Sequence, residues 1–400
     1  MKDFFTRNKL ILRFMSLAVC AGTSVGISQI AVNLYAINLG ANSSQIGLIG
    51  GLPGMGVMLM VLPLGFLVDR FGARRMFIIG CLFGALIYLF LPLANTPKLL
   101  LIGTVVIGFF ISFRFVSMSS IFLDYLKEIG NEKAGWYRGS HSIGMVFLGP
   151  ILGSYLVKHI NYNWTFYSVS LLLLVTVIIA GFVLTDRQKD NAITVFSFNS
   201  TFTHIKSLLK NKNLVEASLA ESLAIMAFSS FNTFMVVVAL RIFYLSKEVA
   251  ALFLSIQGAV FILSVFSLDA LLKRIGQKRF YLFSISVVIL GLILLGGART
   301  PVYLWIGTIF LGMGLGMLNI INVSRLANID AKKGQIAGFF SLFTMAGGML
   351  GPILGGFIGS IFGLQSIFWV LIPLFFILGA KIYFKSNNSI EELVFNEITK

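Results

Sequence analysis

Two ionisable residues stand where an apolar chain has least reason to carry them. Arg114 lies in "ISFRFVSMS" and Glu221 in "AESLAIMAFSSF", each inside a long hydrophobic run. Arg114 sits 16 residues in from Lys98 at the outer end of its run, about 24 Å at a rise of 1.5 Å per residue. A charge at that depth is expensive and by default marks function. Glu221 is deeper in its run than Glu216, which is close enough to the end to reach lipid headgroups. A carboxyl held deep in a low-dielectric setting could take and release protons near neutral pH. Glu221 and Arg114 are therefore the candidates for proton coupling. The alternative for each is a purely structural contact, with Arg114 capped by carbonyls and Glu221 held against a neighbouring helix.

Around them the composition defines the setting. Of 400 residues, 57% are hydrophobic and only 12% charged, against roughly 25% charged in soluble domains. So much apolar surface has to face lipid or other membrane helices. Twelve runs reach the ~20 residues that a span needs, at about 10–38, 45–68, 76–95, 98–124, 136–158, 163–184, 214–243, 248–272, 280–298, 301–325, 336–361 and 365–384. The fold class is all-α membrane protein. A polar, basic stretch separates the halves, giving a six-helix bundle at 1–184, a central loop at 185–212 and a second bundle with a short tail at 213–400. Within the loop, Phe202, Ile205, Leu208 and Leu209 alternate with Lys206, Lys210 and Lys212, a pattern that suits either a surface-lying helix or a plain linker. The first apolar run is too long for the core of a cleaved signal peptide.

Lys and Arg fall overwhelmingly on one side. Only Lys98, Lys158, Lys247 and Arg299 occupy the opposite loops, so both termini are expected in the cytoplasm of a microbial inner (plasma) membrane. The net charge of +16 is thereby accounted for as topology signals and phospholipid contacts, with no basic folded surface for nucleic acid. No phosphate-cradling G-x-x-x-x-G-K-[ST] loop is present. Neither is a catalytic triad nor a metal-ligand cluster, so no enzyme, metal or cofactor is expected. The two cysteines, Cys20 and Cys81, both lie in apolar runs and imply no disulfide framework.

A motif recurs between the halves. "RFGARRMF" at 70–77 returns as "RIGQKRF" at 274–280, and "FLGPILGSYL" at 147–156 returns as "MLGPILGGFI" at 349–358. Both recur in the same order and after the same number of spans, which describes two parallel six-helix repeats with a site expected between the halves near the midplane.

With the loop between spans 2 and 3, the chain resembles the major facilitator superfamily along its whole length. Gly65, Leu67, Asp69, Arg70, Gly72, Arg74 and Arg75 follow that family's G-x-L-x-D-R-x-G-R-[RK] pattern, with Ala73 shifting the basic pair by one. Gly65 would allow close helix approach and Gly72 a tight turn. The resemblance implies a cytoplasmic gate. Asp69 would lie near a helix N-terminus of the other half, where the dipole favours an acid, and Asp124 at the end of span 4 would pair with Arg70 or Arg74. Arg74 and Arg75 also fit a simple topogenic role. In the second copy Lys273 replaces Asp69, and Asp269 stands where Gly65 does.

Gly149, Pro150 and Gly153 in span 5, and Gly351, Pro352 and Gly355 in span 11, are similar to the family's antiporter signature, the second copy being the more complete. Small residues and a proline favour close packing and a bend, so a helix hinge is the minimum reading. Arg114 matches the arginine of a proton-coupled exporter motif, although Ser117 and Met118 replace the Gln and Gly that follow it there. The family lines its cavity with spans 1, 4, 7 and 10. That makes Gln29, Asn33, Asn232, Asn319 and Asn322 substrate candidates, their amides offering donors and acceptors, or else helix-to-helix glue.

The implied function is secondary active transport by alternating access, with proton-coupled export (antiport) of a small organic molecule such as a drug or metallophore. No cofactor is expected beyond the proton gradient. Partners are the small-molecule substrate, protons and membrane lipids, and a monomer is the family default. Proton-coupled or facilitated nutrient import, flipping of a lipid-linked substrate, and a receptor that retains the fold stay open.

Overall fold

The computed structural model describes residues 9–129, 139–184, 208–327 and 333–384. Every regular element among them is helical, and twelve helices are long and apolar enough to cross a membrane. We number these α1 (Lys9–Asn38), α2 (Ser43–Gly51 and Pro53–Phe71), α3 (Ala73–Phe90), α4 (Pro97–Ile129), α5 (Gly139–His159), α6 (Tyr162–Val183), α7 (Lys212–Arg241), α8 (Lys247–Ser267), α9 (Gln277–Gly296), α10 (Pro301–Ala327), α11 (Lys333–Phe362) and α12 (Ser366–Phe384). Helix is the structure these runs must take in lipid, because each backbone group is then satisfied within its own segment. Asparagines supply the missing acceptors at several N-termini. Asn42 and Gln45 form a reciprocal capping box before α2, and Asn161 and Asn211 cap α6 and α7. Large apolar side chains point outward, with Phe182 83% exposed and Ile361 72%, as expected where lipid replaces water.

The chain divides into two compact units, Met1–Phe196 with Leu245–Ser255, and Ser197–Tyr244 with Ile256–Lys400. The first residues of α8 thus belong with unit 1 and the remainder with unit 2. Within unit 1, α1 packs on α5, and α3 on α4 and α6. Within unit 2, α7 packs on α11, and α9 on α10 and α12. These pairings correspond one to one under the motif repeat. The central stretch 185–207, including the surface helix anticipated around Phe202 and Ile205, lies outside the described residues.

Small residues let the corresponding pairs touch backbone to backbone. A Cβ placed on Gly149 would stand 2.5 Å from Gly26 Cα of α1, and one on Gly144 would strike Val19 O. In unit 2 a Cβ on Gly351 would strike Met226 O of α7, and one on Gly347 Ser222 O. Gly153 and Gly355 are likewise crowded, by Ile30 and Phe234. Van der Waals contact at such seams holds membrane helices together without any hydrophobic drive.

The two proline elements differ in one respect. In α5 a π turn runs from Ile143 to Leu148, and the Gly149 N–H reaches back to Gly144 O. Pro150 follows at once and has no N–H to give Val146, so the bonding ladder loses a rung there. In α11 Pro352 lies inside an uninterrupted helix. The eighth span also departs from its apolar run. It stops at Ser267, and a short helix, Asp269–Ile275, follows after Leu268.

Candidate functional site

Three residues that sequence reasoning named separately meet in unit 2. Glu221 is 2% exposed on α7. Asn319 Nδ2 donates to its Oε1 at 2.8 Å, and Asn322 Nδ2 to its Oε2, also at 2.8 Å. The two asparagines lie one turn apart on α10, so that helix presents two donors side by side. Asn322 is fully buried and its Oδ1 accepts from the Tyr281 hydroxyl of α9 at 2.9 Å. Both carboxylate oxygens thus meet amide donors, an arrangement suited to the ionised form.

One turn or more nearer the helix start, Glu216 is engaged by two cations of its own unit. Its Oε2 pairs with Arg325 at 3.3 Å and its Oε1 with Lys381 at 3.2 Å. Arg325 also lies over the Tyr281 ring, 5.8 Å from its centroid. A small pocket opens beside them, lined by Glu216, Lys278, Tyr281 and Arg325 among others. Tyr281, Arg325 and Lys381 escaped sequence reasoning because each stands near the end of an apolar run, where polar residues are routine.

Unit 1 holds Arg114, 7% exposed. Its Nη2 donates to Ala21 O at 3.1 Å and to Ser24 Oγ at 3.0 Å, both on α1. Its Nε has no hydrogen-bond partner, nor has the hydroxyl of Ser117 one turn along α4. Gly80 of α3 makes room for the stem, since a Cβ there would stand 3.1 Å from Arg114 Cγ. The capping by a carbonyl anticipated for a structural arginine is present but incomplete.

At the loop between α2 and α3, Gly72 has φ +89°, and Gly276 in the second copy has φ +80°. Both take a backbone conformation that costs any other residue, so the repeat extends to this turn. Gly65 does not have the packing role expected of it. A Cβ there would meet nothing within 4 Å, whereas Leu64 and Val68 beside it are buried, so the packed face of this stretch of α2 is not the one that Gly65 occupies. Asp69 and Arg70 are exposed at the end of α2, with the Arg70 guanidinium 5.3 Å above the Phe71 ring. Arg74 Nη2 donates to Gly181 O of α6 at 2.9 Å, a tether to the backbone of its own unit. Asp124 falls within α4, but its side chain lies outside the described residues, as do those of Asp269 and Lys273.

The remaining amides take varied places. Asn33 is buried on α1, and Gln29 one turn earlier is half-buried. Asn232 Nδ2 donates to Phe228 O of its own helix at 2.8 Å. His141 stands edge-on to Phe115, ring centroids 5.8 Å apart. At the opposite end of the spans from the α2–α3 loop, Lys247 Nζ donates to the Tyr162 hydroxyl at 3.1 Å, and Lys158 pairs with Glu248 at 3.1 Å. Among the described residues no three His, Cys, Asp or Glu side chains are grouped to hold a metal ion.

Comparison with known proteins gives this architecture its context. The sequence profile of the Major Facilitator Superfamily matches residues 14–329 and 218–393. The chain is 23% identical to multidrug resistance protein MdtG of Klebsiella pneumoniae (strain 342) over 61% of its own length and 60% of that protein's. It is 24% identical to the multi-drug resistance efflux pump PmrA of Streptococcus pneumoniae serotype 4, over 87% of its length and 88% of the pump's. The crystal structure of the nucleoside transporter NupG superposes with a TM-score of 0.78 at 17% identity, covering 94% of this chain and 100% of that one. With twelve apolar helices arranged as two matching six-helix sets, the chain belongs to the Major Facilitator Superfamily and is a multi-pass membrane transporter, not an enzyme.

Proposed function

We propose that the protein is a proton-coupled exporter of a small organic molecule, working by alternating access in a microbial inner membrane with both termini in the cytoplasm. The observation that carries this reading is the Glu221 carboxylate, buried on α7 and held through both oxygens by Asn319 and Asn322. Neutral amides suit a group that changes charge. Turning the Asn319 amide by 180° would present its carbonyl oxygen to a protonated Oε1, so hydrogen bonds survive in either state. A permanent cation in the same place would hold the carboxylate ionised instead. Asn319 and Asn322 then serve first as positioning residues for Glu221. Gln29, Asn33 and Asn232 remain the candidates for contacting solute.

Export as the direction is supported by the names of the relatives, a multidrug resistance protein and an efflux pump. The energy source is the proton gradient, and the chain acts as a monomer amid phospholipid. The experiment is proton movement in proteoliposomes on adding candidate solutes. Protons moving against the solute support antiport. Protons moving with it make the protein an importer, and solute flux with no proton movement removes coupling altogether.

A further inference from the structure

We propose that Arg114 and Ser117, with Ser24 holding the Arg114 guanidinium in place, form an oxyanion-binding subsite of unit 1, which takes the carboxylate or phosphate group of a transported solute. That the anion is a transported solute rests on the transport function proposed above, whereas anion binding itself does not require proton coupling. A guanidinium cannot shed its proton, and an ion taken out of water costs several kcal/mol unless it is paired and fully hydrogen-bonded. Arg114 is more than nine-tenths buried, yet its acceptors in this structure are one carbonyl and one hydroxyl, both served by Nη2. Its Nε is buried without a partner. Among the described residues no acid lies in salt-bridge range of it.

The unmet bonding is local and complementary. Ser117 follows Arg114 by three positions and therefore shares its helix face. Its hydroxyl is fully buried and unpartnered. Ser24 Oγ already accepts from Arg114 while donating to Ala21 O at 2.7 Å. An oxyanion accepting from the free Nε and from the Ser117 hydroxyl would discharge both deficits at once. The planar guanidinium fork matches carboxylate and phosphate oxygens better than a spherical halide.

The test uses the full chain purified in detergent. Acetate, inorganic phosphate and chloride are titrated separately at constant ionic strength, set with a bulky disulfonate salt, and the thermal midpoint is read. Acetate and phosphate should protect saturably and chloride much less. Arg114→Gln should raise the half-saturating acetate concentration at least about tenfold, the worth of a charge-assisted hydrogen bond. Arg114→Lys, which keeps the charge without the fork, should lose part of the effect. Equal protection of wild type and Arg114→Gln overturns the proposal, as does the absence of saturable protection in wild type. Chloride acting as well as the oxyanions overturns it too, by assigning a halide counter-ion only. Should Arg114→Gln fail to fold, Ser117→Ala decides: a several-fold weaker acetate response is expected, and an unchanged one refutes the subsite. A carrier that moved no protons would leave these outcomes as they stand, so failure here and failure of the coupling reading can be told apart.

Discussion

Unit 2 surrounds its buried Glu221 with donors, whereas unit 1 leaves its buried Arg114 short of acceptors. These are the two buried acidic or basic side chains among the described residues, and their hydrogen bonding differs in kind. A carboxyl can be neutral or charged, and its two asparagine neighbours can serve both states. A guanidinium stays charged, so of the two only Glu221 can itself carry a proton. Arg114 stays charged in these surroundings, and its own Nε and the Ser117 hydroxyl are left unpartnered. Two units with the same packing scheme thus surround a buried ionisable side chain in opposite ways.

The largest effect expected from breaking this contrast comes from stripping Glu221 of its donors. Asn319→Leu combined with Asn322→Leu should destabilise unit 2 by about 3 kcal/mol or more, at roughly 1.5–3 kcal/mol per hydrogen bond to a charged group. Thermal unfolding in detergent would show it, and coupled transport should fall with it. Asn322→Leu alone should cost less, though it also orphans the Tyr281 hydroxyl.

Next come the glycine seams, which sharpen the comparison by being alike in the two units. Gly149→Val and Gly351→Val would each drive a side chain into the facing helix, and each should cost about 1–3 kcal/mol or more by overpacking. Folded yield by size-exclusion chromatography measures this. Gly65→Ala should leave the yield unchanged, because open space lies where the methyl would go. A large loss there would restore the close-packing role that the motif suggested.

A smaller effect is expected at the matched turns. Gly72→Ala and Gly276→Ala both place a methyl at a positive φ, for about 1–3 kcal/mol of backbone strain each. Similar drops in thermal midpoint would mark both turns as equivalent. Smallest of all is Lys158→Ala at the partly exposed pair with Glu248, where roughly 0–1 kcal/mol is expected. Its effect should shrink further in high salt.

Much of the fold could be read in the chain because its signals are local. Apolar runs mark spans wherever lipid is the solvent, and the recurrence of "RFGARRMF" and "LGPILG" anticipates the paired units. The buried charges were legible for the same reason, since Arg114 and Glu221 interrupt those runs. Their partners were not. Asn319 and Asn322 lie about a hundred residues from Glu221, and only packing of α7 on α10 brings them together. The pairing of Glu216 with Arg325 and Lys381 was not legible either, because it depends on where α10 and α12 end. Gly65 was misjudged because a motif glycine says nothing about which neighbour faces it. The π turn at Ile143–Leu148 shows how much context decides, since the equivalent proline in α11 sits in an unbroken helix.

The most direct test of the central claim compares wild type with Glu221→Gln in proteoliposomes, following proton movement and solute movement together. Glutamine keeps the shape and most of the hydrogen bonding but cannot titrate. The account predicts that solute still equilibrates down its own gradient while the accompanying proton movement disappears. Proton movement of undiminished stoichiometry in Glu221→Gln would contradict it, and would make the Glu221 cluster a structural clasp.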